Sequence, residues 1–224
     1  MGRAARIAAC LAAAIVLALV LAQLLLPGIA ASRISSRLRR YGTVHSVRVS
    51  AWPAVELLWG DAHSVNVRAG EMKLTPAQTA SLLWEARGAG KLQMSASSVR
   101  EGSLALFDVR LSKSAGQLSA EASTTESDVR AALPPGFGVQ LLRSEGGSVE
   151  VRASGSLFGI DAELDAVAEP SGGALVVHPR AFPFEALGLT LFSDPHVYVE
   201  GVGASTTSAG AQPGYQLTMT ARLR

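Results

Sequence analysis

Residues 44–69 read VHSVRVSAWPAVELLWGDAHSVNVRA and set the pattern of the fold. On both sides of the Trp52-Pro53 pair, apolar side chains alternate with polar ones, which is the period-two pattern of a strand with one buried face. Pro53 favours the start of a helix and Gly60 its end, so residues 54–59 are predicted to form a short apolar helix. The short connection predicts that the two strands pair antiparallel, with the helix covering one end of the sheet.

The overall composition is that of a folded chain with few aromatic residues. Of the 224 residues, 48% are hydrophobic and 5% aromatic, so the core is predicted to consist mainly of Val, Leu and Ala. All 18 acidic residues follow Tyr41 and six of the 20 basic residues precede it, which leaves 14 basic against 18 acidic residues after Tyr41. This net charge of −4 argues against a general nucleic-acid binder. Cys10 is the only cysteine, so the sequence has no pair for an intrachain disulfide.

The N-terminal part contains a long apolar run, from Ile7 to Leu26, in which only Gln23 is polar. At about 1.5 Å per residue, a helix of this length spans a hydrocarbon core of about 30 Å. We therefore expect this run to enter a membrane.

Two fates are open for this segment. Signal peptides usually have a shorter apolar core, so we expect residues 1–31 to be an uncleaved signal-anchor. The alternative is a signal peptide that is cut near the small residues Gly28 and Ala30. In either case residues 32–224 are predicted to form a single exported domain in the cell envelope, at the outer face of the cytoplasmic membrane.

A second amphipathic segment follows, over residues 29–41. Ile34 and Leu38 share one predicted helical face, and the basic residues lie outside it: Arg33, Arg37, Arg39 and Arg40. In one interpretation these arginines lie on anionic headgroups, each contributing about 1 kcal/mol. In the other, the apolar stripe packs under the sheet and the arginines are solvated. The two interpretations are compatible.

Downstream of residue 69, a few helix signals stand among many strands. Thr75-Pro76 begins a helix that Gly88 ends, and Thr125 with Asp128 is predicted to cap a second helix. The predicted strands are 92–94, 104–111, 118–122, 139–143, 148–157, 160–169, 174–178, 196–201 and 215–223, with glycine-rich turns at 145–147 and 170–173. This predicts an α+β fold, in which a long antiparallel sheet has more apolar face than its few short helices cover.

Several motifs occur in a characteristic order. The first is WPAVELLWG, from Trp52 to Gly60, followed by alternating small apolar residues at 65, 67 and 69. The later ones are residues 104–111 with Asp108-Val109, Gly116-x-Leu118-x-Ala120, Asp128-Val129 to Leu133-Pro134, and Phe182-Pro183. From about Ile34 to Leu223 the chain thus resembles the LmeA-like phospholipid-binding proteins, an exported and largely actinobacterial family. Trp52 stands where we expect Phe in the family, and Glu185-Ala186 interrupts a stretch that is usually more apolar.

The resemblance implies phospholipid binding in the cell envelope or periplasm, by a curved, tubular-lipid-binding-like sheet wrapped on a helix. A candidate lipid-binding groove follows from it together with the apolar residues that the helices do not cover. These residues are Trp52, Leu57, Leu58, Trp59, Leu83, Trp84, Phe137 and Leu141. The ordinary alternative is that such side chains belong to the core.

The sequence shows no clear catalytic constellation. Its histidines have no metal-ligand spacing, and there is no Gly-x-Ser-x-Gly motif. Asp161, Glu163 and Asp165 alternate on one strand face, a pattern more typical of a solvated acidic face than of a calcium site. We therefore predict a non-catalytic protein with no metal and no cofactor.

Three functions are compatible with these observations. The first is a phospholipid-binding protein that holds or shuttles acyl chains in an apolar groove. The alternative is a membrane-anchored scaffold whose open sheet edge binds an envelope protein. The third, a hydrolase or transferase acting on envelope glycolipids, has no candidate residue pair in this sequence.

Overall fold

The computed structural model describes residues 3–133, 135–157, 160–180, 188–207 and 213–223, without the side chains of residues 3–19, 55, 76, 101, 156, 157 and 160–162. The helices in this part are α1 (Arg3–Leu38), α2 (Pro76–Glu85) and α3 (Glu126–Ala132), with short 3₁₀ helices at Ala54–Trp59 and Ala86–Gly88. The strands are β1 (Gly42–Ser50), β2 (Ala62–Lys73), β3 (Ala89–Glu101), β4 (Leu104–Ser114), β5 (Gln117–Thr125), β6 (Phe137–Glu145), β7 (Ser148–Leu157), β8 (Ile160–Ser171), β9 (Ala174–Pro179), β10 (Leu189–Phe192), β11 (Val197–Thr207) and β12 (Gly214–Leu223).

The strands form two sheets. A seven-stranded sheet has the order β1-β2-β3-β4-β5-β12-β11, and a five-stranded sheet has the order β10-β9-β8-β7-β6. The α+β class is confirmed, but the prediction of one long sheet is wrong. After β5 the chain leaves the first sheet through α3, and β12 takes the place beside β5, with Leu217 opposite Ala122.

One strand pair of the seven-stranded sheet is parallel. Strands β1 and β2 pair antiparallel, as predicted, with Val47 opposite Val67. Strands β2 and β3 run parallel, with Val67 opposite Met94, which corrects the purely antiparallel prediction. The reason is α2, which lies in the connection between them, since parallel neighbours need a crossover long enough to carry the chain back.

The main core lies between the helices and one face of the seven-stranded sheet. The end of α1 contributes Leu38 and the partly buried Ile34, and α2 contributes Ala80 and Leu83. The sheet contributes mainly small and branched apolar residues: Val65, Val67, Ala69, Met72, Leu92, Ala96, Leu118, Val197 and Ala221. The predicted packing of the 29–41 stripe on the sheet is therefore confirmed for Ile34, Leu38 and Tyr41, whereas Ile29 is exposed.

The local start and stop signals behave as the sequence predicts. Thr75 caps α2 through a reciprocal bond pair with Gln78. Thr125 caps α3 by accepting from the Asp128 N–H at 3.1 Å. The turns after β6 and β8 contain Gly146-Gly147 and Gly172-Gly173, all four with positive φ, as two-residue hairpin turns of type I′ require.

These two turns join the sheets. Val199 N–H donates to the Gly173 carbonyl, and Val202 N–H donates to the Gly147 carbonyl, each at 2.9 Å. The outer edge of β11 is thus covered by turns of the five-stranded sheet. Covering an edge strand in this way removes a site at which another chain could pair.

Lys113 of β4 is a buried cation at the end of α2. Its side chain donates to the carbonyls of Ala86, Arg87 and Ala89 at 3.2, 2.6 and 2.5 Å, respectively. Burial lowers the pKa of the Lys113 ammonium from its usual value of 10.5. A positive charge is favourable beside the carbonyl groups at a helix end, and the Ala86 carbonyl also accepts from the Ala89 N–H.

Helix α1 continues unbroken through Pro27 to Leu38 and so crosses the predicted boundary at residue 31. Among the residues whose side chains the structure describes, no helix is long and apolar enough to cross a membrane. Most of the run from Ile7 to Leu26 has side chains outside the described set, and the anchor stays a prediction.

Candidate lipid-contacting surface

The segment between β1 and β2 forms a compact projection, which we call the 52–60 corner. Residues Ala54–Trp59 make the predicted short helix, in the 3₁₀ form, with Glu56 N–H donating to the Pro53 carbonyl at 3.1 Å. Gly60 ends the helix in the left-handed region at φ 86°, where glycine avoids the Cβ penalty. The predicted helix and its glycine stop are confirmed.

Gln23 of α1 holds this corner through both ends of its side-chain amide. Its Nε2 donates to the Ala51 carbonyl at 3.3 Å, and its Oε1 accepts from the Ala54 N–H at 2.7 Å. These backbone groups lie on either side of Trp52-Pro53, so one side chain fixes both ends of the turn. The corner is therefore part of one unit with α1.

The large side chains of the corner point outward. Trp52 is 79% exposed, Trp59 74% and Leu58 67%. The described part of α1 beside it exposes Val20, Leu21, Leu24, Leu25 and Ile29. Most of the large exposed apolar residues in the described part of the chain are thus on α1 and the corner. The sequence-based expectation placed the uncovered apolar surface on the sheet, whereas it lies mainly at this helix.

The eight predicted groove residues are distributed over three elements. Trp52, Leu57, Leu58 and Trp59 are on the corner, where Leu57 alone is half-buried. Leu83 and Trp84 are on α2, and Phe137 and Leu141 are on β6 of the other sheet. Contact between these eight residues and lipid stays a prediction.

The α2 pair is engaged within the protein. Leu83 is buried in the main core. The Trp84 ring packs against the His196 ring, with centroids 4.2 Å apart, and the Arg87 guanidinium lies 4.4 Å from the Trp84 centroid. A cation over an indole face is a favourable contact, so Trp84 has partners on two sides.

The β6 pair lies near a cleft between the two sheets. Phe137 lies opposite Gly155, and its ring occupies the space that a Cβ at Gly155 would fill. Leu141 lines this open cleft, whose volume is about 430 Å³. Polar residues also line it: Glu126, Arg130, Gln140, Ser154, Thr206 and Tyr215.

Three of these polar residues already have partners. Arg130 pairs with Glu126 at 2.8 Å, an exposed contact within α3. The Tyr215 hydroxyl donates to the Val139 carbonyl at 3.4 Å, and burial raises the pKa of that hydroxyl. The cleft thus combines one apolar side chain from the predicted set with a cation of the kind that binds phosphate groups.

The predicted membrane-surface arginines are exposed near the end of α1. Arg33, Arg39 and Arg40 are exposed, as is Arg37, which pairs with Glu85 of α2. The Arg37–Glu85 pair ties α1 to α2 at the surface. The structure thus keeps all four charges at the surface.

The candidate titratable residues are dispersed. His196 lies 3.2 Å from Asp194, and the other histidines, His45, His63 and His178, lie on separate strands. Asp165 binds Arg152 through two bonds of 2.7 and 3.0 Å, and this contact lowers the pKa of the Asp165 carboxyl. The Asp161 side chain lies outside the described set. Among the side chains that the structure describes, no group of three His, Cys, Asp or Glu residues is placed to hold a metal ion.

Sequence reasoning missed the role of Gln23. The available signal was that Gln23 is the one polar residue in the apolar run from Ile7 to Leu26. A buried amide needs hydrogen-bond partners, so a lone Gln in such a run points to a specific contact.

An α+β domain with an exposed apolar corner beside its N-terminal helix belongs to the broad class of proteins that offer an apolar surface to a membrane, a ligand or another protein. Comparison with family models identifies the family: residues 18–210 match the model of LmeA-like phospholipid-binding proteins. The chain belongs to the LmeA-like phospholipid-binding family. No curated protein sequence and no solved structure matches it.

Proposed function

We propose that this protein is a non-catalytic phospholipid-binding protein of the cell envelope, which holds or shuttles lipid acyl chains. The family match over residues 18–210 carries this proposal. Under this proposal, the run from Ile7 to Leu26 anchors the chain to the outer face of the cytoplasmic membrane, and the sheets provide a tubular-lipid-binding-like surface.

Within this proposal, the cleft beside Leu141 is where a bound phospholipid is best tested. The cleft offers Leu141 to an acyl chain and Arg130 to a phosphate group. Leu83 is in the core and Trp84 is already stacked, so these two shape the fold around a lipid rather than contact it in the described arrangement.

Native mass spectrometry of the full chain, released from gentle detergent, tests the proposal. The full chain is required because Gln23 holds the 52–60 corner. The expected result is a mass increment of one or two phospholipids that persists after detergent is stripped, identified by solvent extraction. An apo mass that stays unchanged after incubation with vesicles would overturn it.

Two adjacent residues of β6 supply a matched pair of variants. Leu141→Asp places a charge in the cleft, whereas Leu142→Asp places it at an exposed neighbour that does not line the cleft. The lipid increment should be lost in Leu141→Asp and kept in Leu142→Asp. If the lipid increment is lost in both variants, or in neither, the lipid does not bind in this cleft.

A scaffold function is the second candidate, and β10 is the observation that favours it. This strand is the last in the order of the five-stranded sheet, and it exposes Leu189 and Leu191 at 65% and 52%. An outer strand with apolar side chains is suited to pair with a strand of another protein. Crosslinking from position 189 that captured one stoichiometric envelope protein, with no lipid bound to the chain, would favour this function.

A further inference from the structure

The 52–60 corner lies beside the part of α1 that carries exposed apolar side chains. Gln23 bonds to the backbone on both sides of Trp52, which places the corner at the level of residue 23. The side chains of α1 that the structure describes start at residue 20, and the exposed large apolar ones among them are Val20, Leu21, Leu24, Leu25 and Ile29. Together they form an apolar layer across this part of the molecule.

The shape of this layer favours a bilayer over a protein partner. On a helix with 3.6 residues per turn, Gln23 points roughly away from the centre of the exposed stripe formed by Val20, Leu21, Leu24 and Leu25. The corner therefore packs against one side of α1 while leucines are exposed on the other side. A folded protein partner would cover one side of α1, whereas a bilayer surrounds a helix and contacts all side chains that lie at the same depth.

The residues around the layer match the chemistry of a membrane interface. Tryptophan is enriched where hydrocarbon meets headgroups, and the corner exposes Trp52 and Trp59. Among the described side chains of α1, the arginines are Arg33 and Arg37, and Arg33 lies one helical turn beyond Ile29, where anionic headgroups attract positive charge. Glu56, the exposed carboxylate of the corner, limits insertion to the headgroup boundary.

We propose that the 52–60 corner inserts Trp52, Leu58 and Trp59 into the outer-leaflet interface of the bilayer that the N-terminal run enters, with Gln23 holding it at that depth. This inference rests on the proposed anchor. It does not require the protein to hold a phospholipid in the cleft. It assigns the corner to the membrane and leaves the cleft for a bound lipid.

The three native tryptophans provide the test. The full chain is reconstituted into vesicles of phosphatidylcholine and phosphatidylglycerol, with or without acyl-brominated phosphatidylcholine, and tryptophan emission is recorded. Trp84→Phe leaves the two corner tryptophans, and Trp52→Phe/Trp59→Phe leaves Trp84, which packs on His196. In Trp84→Phe, brominated lipid should quench most of the tryptophan emission, and aqueous iodide should quench little of it. In Trp52→Phe/Trp59→Phe, brominated lipid should leave most of the Trp84 emission unquenched.

The opposite pattern would overturn the inference. Corner tryptophans quenched by iodide but not by brominated lipid would lie in water, whatever the cleft binds. Repeating the measurement in Trp84→Phe/Leu141→Asp separates the bilayer from a lipid in the cleft. Quenching that persists in this variant supports insertion, and quenching that disappears with the cleft variant overturns it.

Discussion

The side-chain oxygen of Gln23 accepts a hydrogen bond from the backbone N–H of Ala54 at 2.7 Å, across 31 residues of sequence. Ala54 is fully buried, so its N–H has limited access to water as an alternative partner. A single amide in the apolar run therefore positions the first residue of the 3₁₀ helix. It links the N-terminal helix to the domain that follows.

Gln23→Leu should loosen the corner. The substitution leaves the Ala54 N–H without its partner, a loss of about 1–3 kcal/mol for a buried donor. The expected result is a marked loss of protection of the Ala54 amide, measured by hydrogen exchange in detergent micelles. Gln23→Glu is the matched control, because a carboxylate still accepts from Ala54 but cannot donate to Ala51. Wild-type protection of Ala54 in Gln23→Leu would contradict the assigned role.

Gly173→Ala should destabilise the junction between the sheets. A Cβ at this position would collide with the Tyr198 ring, and the residue has φ +88°. Gly172→Ala is the control, since it also has positive φ, at +60°, but a Cβ there meets open space. Both variants bear the left-handed strain of about 1–2 kcal/mol, and Gly173→Ala should lose about 1–3 kcal/mol more by overpacking. Urea unfolding measures the difference, and equal losses would show that the contact with Tyr198 is unimportant.

The elements that were predicted correctly are those with local signals. The period-two alternation around Trp52-Pro53, the cap at Thr75 and the paired glycines at 146–147 each determine structure within a few residues. Between Leu106 and Val109 the apolar alternation changes phase in the sequence. The structure explains this by an irregular pairing between Phe107 and Arg110, with Asp108 at φ 49°.

The features that were missed depend on long-range pairing. No local pattern distinguishes a strand that joins β5 from one that joins β6, so the division into two sheets was not predictable from strand positions alone. The parallel pair β2-β3 could have been inferred from α2, because a helix between two strands permits a parallel crossover. The contact between Gln23 and Ala54 joins two segments that the sequence patterns predict as separate units, an N-terminal apolar run and a following domain. Local patterns therefore do not indicate it.

Lys113→Met should weaken the attachment of α2 to the sheet. It retains the apolar length of the side chain but removes the donors to Ala86, Arg87 and Ala89. Loss of these hydrogen bonds from a buried ammonium is expected to reduce the free energy of unfolding by about 1–3 kcal/mol, measured with urea. Lys91→Met, at an exposed lysine of the adjacent strand, should change it little. A Lys113→Met protein as stable as Lys91→Met would show that the three bonds contribute nothing.

The Arg152–Asp165 pair should make stability depend on pH in the acid range. Its hydrogen bonds lower the pKa of Asp165 in the folded state below the ordinary 3.8, so the unfolded state binds more protons as pH falls past that value. The pair therefore contributes fully above about pH 4–5, and its contribution is lost as pH falls through the folded-state pKa. Asp165→Asn should reduce the free energy of unfolding at pH 7, and the difference from wild type should shrink below pH 3.8.

Urea unfolding at a series of pH values measures this, with Glu145→Gln as control because Glu145 forms only a longer, exposed pair with Arg143 at 3.9 Å. A difference between Asp165→Asn and wild type that stays constant down to the lowest pH would contradict the prediction.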